Sequence, residues 1–131
     1  MSTNKTTNYN LHAWEAGDDF LRSEFNENFA KLDAGAIRMI FGSYTGLKDT
    51  NVQTAQHIEL GVKPRAVIIM TQYGLNPNSA GISRGGIAGP GLTMCNAVLV
   101  TETGFSVQNR STSSNVYLNQ DGYVYYYIAL I

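Results

Sequence analysis

The sequence predicts a mainly β protein, an antiparallel sandwich or open barrel preceded by a short N-terminal α-helix. Three observations predict it. From Ala36 to the C-terminus, apolar residues recur at period two, the spacing of a half-buried strand. Clusters of Gly, Pro, Asn and Asp divide that region into six or seven short runs with no helical pattern between them, which suits antiparallel layers better than βαβ units. The one stretch with helical spacing lies ahead of Ala36. Two regions follow, an arm and amphipathic helix over 1–35 and a β domain over 36–131.

Composition supports one domain with an appendage. The 131 residues are enough for one proper core and too few for two. Charged residues make up 15% of the chain, below the roughly 25% of ordinary globular proteins. A net charge of −1 offers no long-range field to gather nucleic acid or an acidic membrane. No apolar run reaches the roughly 20 residues of a membrane span, and the polar start MSTNKTTNYN has no signal-peptide core, so synthesis in a cytoplasm and no membrane insertion are expected. The single Cys95 has no intrachain partner and reads as a small buried thiol in LTMCNAVLV.

Residues up to about Asn8 carry no periodic pattern and are expected to order only on docking. The helix is expected from about Asp18 to Ala34, capped by Asp18 or Asp19 and ended by Gly35. Leu21, Phe25, Phe29 and Leu32 form a narrow apolar stripe with Phe20 beside it, and Glu24, Asn26, Glu27 and Lys31 take the other side. The stripe either covers the chain's own β domain or buries itself against other copies in a short bundle. His12 and Trp14 stand where they can staple the helix start or meet a neighbour.

In the β region, IRMIFGSYTG and TAQHIELG read as alternating strands. RAVIIMTQYG holds a continuous apolar run, Ala66 to Met70, expected to be buried on both faces. LNPNSAGISRGGIAGPG is dense in turn residues and reads as loops around a short strand near Ile82. LTMCNAVLVT reads as one core strand, TGFSVQN as another, RSTSSN as a polar loop and VYLNQDG as a short strand. The last stretch, DGYVYYYIALI, is a long strand launched by the Asp121-Gly122 turn. Val124, Tyr126, Ile128 and Leu130 share one face; Tyr123, Tyr125, Tyr127, Ala129 and Ile131 share the other. One face must meet the core, and the tyrosine face, with hydroxyls at its tips, suits a subunit interface, a rim or a ligand platform.

Residues for catalysis are sparse. His57 and Glu59 share a strand face and read as a hydrogen-bonded structural pair rather than two metal ligands, since no third ligand is in view. GISRGGIAGPG lacks the Lys-Ser/Thr ending of a phosphate loop and a helix after it. No two of Asp49, Glu59, Glu102 and Asp121 stand out as an acid and base pair. The expectation is a protein without enzymatic activity, cofactor or metal.

Two stretches carry a resemblance. NYNLHAWEAGDDFLRSEFNENFAKLDAG resembles the N-terminal lead of tail-fibre and related appendage proteins of phages and prophages of Gram-positive bacteria, where a Trp-bearing segment precedes a helix ending Phe-Asn-Glu-Asn-Phe-x-Lys-Leu-Asp. FGSYTG, QHIELGVKPRAVIIM, GFSVQN and LNQDGYVYYYIALI resemble the small β domain at the distal end of such fibres. The resemblance implies a homotrimeric virion protein, attached to other phage proteins through its N-terminal part and presenting the β domain to a bacterial surface. Trp14, Phe20, Leu21, Phe25, Phe29 and Leu32 would then serve attachment and trimerisation. The chain departs from a long fibre in having no shaft.

The leading expectation is a short trimeric tail fibre or receptor-binding module that contacts host cell-surface saccharide. The alternative is a purely structural tail, baseplate or head component that binds only phage proteins. Loops at 75–84 and 109–115 would form the exposed end. Tyr73, Arg84, Asn109, Arg110 and Asn115 are the candidate contacts, because planar guanidinium and amide groups hydrogen-bond polar ligands and tyrosine stacks on sugar faces. Tyr123, Tyr125 and Tyr127 are candidates for the subunit interface.

Overall fold

The computed structural model describes residues 1–74, 81–93, 96–111 and 115–131. Cys95 and parts of both candidate contact loops, residues 75–80 and 112–114, lie outside the described residues. Among the described residues, the chain forms a sandwich-like β fold with one helix and no closed barrel. It divides into two compact units, Met1–Ile37 and Arg38–Ile131.

In the first unit, β1 (Asn4–Lys5) pairs antiparallel with β2 (His12–Ala13), so the stretch expected to await a partner already forms a hairpin. Asn10 sits at φ 52° in its turn, where an Asn is tolerated. The helix α1 runs over Arg22–Gly35, starting later than its acidic residues suggest. Asp18 does not cap it, because its carboxylate accepts from the backbone N–H groups of Thr3 and Glu15, both at 2.9 Å.

The helix also inverts its expected sidedness. Glu24, assigned to the solvent side, is its buried residue; its carboxylate accepts from Ser2 N–H at 2.8 Å and Trp14 Nε1 at 3.1 Å. Asn28 accepts from His12 N–H at 2.6 Å and donates to His12 carbonyl at 2.9 Å, mimicking a third strand beside the hairpin. Lys31 donates to the Asn10 carbonyl at 2.9 Å. Polar groups therefore hold hairpin and helix together, while Phe20, Leu21, Phe25, Phe29 and Leu32 remain exposed. Gly35 ends the helix without a left-handed turn. A side chain there would press on the Tyr9 ring, 3.2 Å from the added carbon, so packing explains that glycine.

These polar contacts are acid-sensitive. Lys31 and then His12 hold the Glu27 carboxyl down at about 2, and the Glu15 and Thr3 donors lower Asp18. Groups depressed on folding contribute stability above their ordinary range, roughly 4, and lose it as pH falls through the lowered value. The amide signals of Thr3 and Glu15 are expected to hold steady from neutral pH to about 5 and to move with a midpoint below the ordinary aspartate value of about 3.9. A midpoint at or above that value would remove the hydrogen-bonded role of Asp18.

The second unit begins with β3 (Met39–Thr45) and β4 (Gln56–Glu59), followed by β5 (Ala66–Thr71), β6 (Ile82–Ser83) and β7 (Gly85–Gly89). Then come β8 (Leu92–Thr93), β9 (Val98–Val100), β10 (Gly104–Val107), β11 (Asn109–Arg110), β12 (Asn115–Tyr117) and β13 (Val124–Leu130). Five of them form the sheet β3-β13-β5-β7-β8, and two smaller sheets run β4-β10-β9 and β11-β12-β6. Pairing is antiparallel except between β12 and β6. LTMCNAVLVT, expected as one strand, contributes two, with Asn96 at φ 55° before β9. GISRGGIAGPG is no loop: β7 lies between β5 and β8, and its Gly86 faces Ile69 across the ladder.

The terminal strand β13 lies between β3 and β5, and its register sorts the large sheet into rows. Facing inward are Tyr44–Tyr125–Thr71, Gly42–Tyr127–Ile69–Gly86 and Ile40–Ala129–Val67–Ala88. Phe105 on β10 completes this core, 5.0 Å from the Tyr127 ring and 6.3 Å from Tyr44. Gly42 makes the arrangement possible, since an added Cβ would fall 2.3 Å from the Tyr127 hydroxyl.

The tyrosine face is thus the core face, which corrects its reading as a boundary. Tyr125 is 0% exposed, and Tyr123 and Tyr127 pack against the core. Hydroxyls are tolerated there because they find partners. Tyr44 donates to the Leu118 carbonyl at 2.7 Å, and Tyr125 donates to the Tyr117 carbonyl at 2.9 Å while accepting from Gln120 N–H. Burial pushes the Tyr125 hydroxyl up to about 12 and raises Tyr44 further, so both stay protonated donors.

The opposite face of the same sheet is apolar and open. Its rows are Phe41–Ile128–Ile68–Ile87, Ser43–Tyr126–Met70–Gly85 and Met39–Leu130–Ala66. The run Ala66 to Met70 is therefore not buried on both sides: Val67 and Ile69 are, whereas Ile68 and Met70 are exposed. By contrast, β4 and β10 point His57, Glu59 and Ser106 outward in ordinary alternation.

Candidate functional site

The best-defined polar site in the second unit is built where the Asp121-Gly122 turn meets the residues after β3 and β6. The segment after β3 runs parallel to the turn, through the bridges Gly46↔Asp121 and Lys48↔Gln120. Gly46 permits this approach, since a Cβ there would lie 2.0 Å from the Gln120 carbonyl oxygen. The result is a cleft of about 390 Å³ lined by Lys48, Asp49, Thr50, Asn51, Gln120 and Asp121.

Gln120 links the cleft to an aromatic cluster. Its side-chain oxygen accepts from Arg84 Nε at 2.9 Å, and the Arg84 guanidinium lies 4.4 Å over the Tyr123 ring centroid. Tyr73, 68% exposed, meets Tyr123 edge-on at 6.5 Å. With Nε engaged and the guanidinium plane held by the ring, the position of Arg84 is set before any ligand arrives. An exposed phenol, a stacked guanidinium and a cleft of amide, hydroxyl and carboxylate groups can together bind a neutral polar ligand with apolar faces.

The five sequence candidates separate accordingly. Tyr73 and Arg84 come together through Tyr123. Asn109 is 0% exposed and is a structural residue: its Nδ2 donates to the Lys48 and Asp49 carbonyls at 3.2 and 3.0 Å, and its Oδ1 accepts from Asn119 N–H at 2.9 Å. That corrects its reading as a contact and gives it a role in holding the Lys48–Asp49 wall of the cleft. Arg110 is half-buried, with a long 3.4 Å bond to Gln53, and its buried Nε has no partner among the described residues. Asn115 accepts from Ser111 Oγ at 3.3 Å.

Sequence reasoning named neither Gln120, in the short strand VYLNQDG, nor Lys48 and Asn51 as site residues, and it weighed Asp121 only as a turn residue and as a member of an acid and base pair. Their signal was weak: a polar turn shows neither what it lies beside nor that it encloses space.

Of the interface candidates, Trp14 is tied into its own unit by Glu24 and by the Phe20 ring at 4.9 Å. Phe20 meets Phe25 at a tilt at 5.2 Å, and Phe25 meets Phe29 edge-on at 4.7 Å, leaving Phe29 56% exposed. A small hollow of about 180 Å³ lies among Leu11, Trp14, Phe25, Asn28, Phe29 and Leu32. Tyr125 is withdrawn from the interface by its burial, and the partly buried Tyr127 lies over Gly42 within the sandwich.

His57 Nε2 lies 3.1 Å from Glu59, which also accepts from Thr103 and Gly61 and is lowered chiefly by the Thr103 bond. Among the described residues no three His, Cys, Asp or Glu side chains gather as metal ligands, and no helix is long and apolar enough to cross a membrane. Compared with family models, curated proteins and solved structures, the chain matches none.

Proposed function

We propose that this chain is a non-enzymatic virion appendage protein, a short trimeric fibre or receptor-binding module whose β unit contacts cell-surface saccharide. Its N-terminal unit attaches it to other phage proteins. The observation that carries the ligand reading is the Tyr73–Tyr123–Arg84–Gln120 cluster beside the polar cleft. Saccharides present apolar ring faces and fixed hydroxyl pairs, which aromatic rings and planar guanidinium or amide groups match. The virion setting rests on the sequence resemblance. Weak single sites suffice when several copies engage one surface.

The test is binding of the full chain to wall polymers extracted from Gram-positive cells. Arg84→Ala and Tyr73→Ala are each expected to weaken binding about tenfold, the size of one lost charge-assisted or aromatic contact. Unchanged binding in both variants would remove the cluster from the proposal. The exposed helix stripe favours a second reading, a structural adaptor that binds only virion proteins. Absence of any wall-polymer binding, together with tight capture of a purified tail or baseplate protein, would select it.

A further inference from the structure

We infer that the outer face of the five-stranded sheet is a contact surface for a second copy of this chain. The inference is independent of the saccharide reading. Four neighbouring strands place Phe41, Ile128, Ile68 and Ile87 in one unbroken row, flanked by the rows of Met39 and of Tyr126–Met70. None of the residues in these rows is charged. A sheet face turned to water ordinarily alternates to polar residues, as the β4-β10 pair of this unit does.

The size of the face points to a macromolecular partner. Met39, Phe41, Ile68, Met70, Ile87 and Tyr126 are 36–68% exposed. At roughly 200 Å² for a fully exposed large side chain, their exposed parts and that of Leu92 amount to roughly 700 Å². That exceeds the roughly 300–600 Å² of the largest apolar patch on a typical monomer and approaches the about 800 Å² each partner gives a stable interface.

Its chemistry and shape point to a copy of the same chain. Faces this free of charge resemble homo-oligomer interfaces, which are more apolar than those of partners that live apart. The face is also shaped to be filled. Phe41, 68% exposed, forms one wall of a hollow of about 470 Å³ that it shares with Ser43, Ile68, Met70, Tyr126 and Ile128. Exposed apolar side chains of a neighbouring copy can fill such a hollow, and the contact closes a ring when it is repeated about a three-fold axis.

The test is sedimentation of the full-length chain at micromolar concentrations, wild type beside Phe41→Asp and Phe29→Asp. The wild type is expected to sediment as an oligomer. Phe41→Asp is expected to weaken association at least tenfold with an unchanged circular dichroism spectrum, since Phe41 is exposed on an edge strand. Phe29→Asp, in the helix stripe, is expected to leave the mass unaltered. Ile68→Lys, on a central strand, provides an independent disruption of the same face. A monomeric wild type would overturn the inference, as would an oligomer that survives both Phe41→Asp and Ile68→Lys. So would dissociation by Phe29→Asp alone.

Discussion

Asn109→Ala is expected to destabilise the β unit by about 1–3 kcal/mol, the cost of one truly buried group left unpaired, because the Asn119 N–H loses its acceptor while the Lys48 and Asp49 carbonyls keep the Asp121 and Val52 N–H groups. Thermal or denaturant unfolding would measure the loss. Asn109→Asp preserves the acceptor and removes only the donor, so its loss should be smaller near neutral pH unless charge burial adds to it. A ligand contact would behave differently, with weakened binding and unchanged stability. Unfolding curves that coincide with wild type would therefore return Asn109 to the list of ligand contacts.

Phe105→Ala should have the largest effect, about 3–5 kcal/mol, the range for removing a fully buried phenylalanine. The ring closes the space between Tyr44 and Tyr127, so its loss opens a void between the two sheet layers. Domains of this size have only about 5–15 kcal/mol in total, so the variant stands near the limit of folding. Phe105→Leu, which keeps most of the volume, should retain a cooperative transition at reduced temperature. If Phe105→Ala melted within a degree or two of wild type, the two layers would not share the core described here.

Period two and turn spacing make the class of the fold legible from sequence, and they identify the terminal strand. They also separate its two faces correctly. Which face is inward is not legible, because both are apolar and hydroxyl-bearing tips suggest a boundary. Tyr44 and Tyr125 resolve this in the fold by donating to carbonyls at Leu118 and Tyr117, more than seventy and eight residues away respectively. Partners that distant cannot be read from local pattern. The glycine-rich stretch misleads for a related reason: its Gly85–Gly89 part pairs with β5, a partner distant in sequence.

The helix shows the same limit. Asp18 has the right position for a cap, but Thr3 and Glu15 claim its carboxylate. Glu24 has the sequence signature of a solvent-facing residue, yet the hairpin supplies Ser2 and Trp14 as donors. Of the candidate contacts, Tyr73 and Arg84 could be named from exposed-loop chemistry. Gln120, which joins them to the cleft, could not, since it is the parallel bridges at Gly46 and Lys48 that bring the two segments together.

The central structural claim is that β13 turns Tyr125 and Tyr127 inward and its other face, with Phe41 alongside, toward another copy. Hydroxyl-radical labelling of the unmodified full chain, read at each methionine and tyrosine over a range of protein concentrations, tests it without any substitution. Met39 and Met70 should become protected as concentration rises, Tyr73 should label at every concentration, and Tyr125 at none. Constant labelling of Met39 and Met70, or ready labelling of Tyr125, would contradict the account.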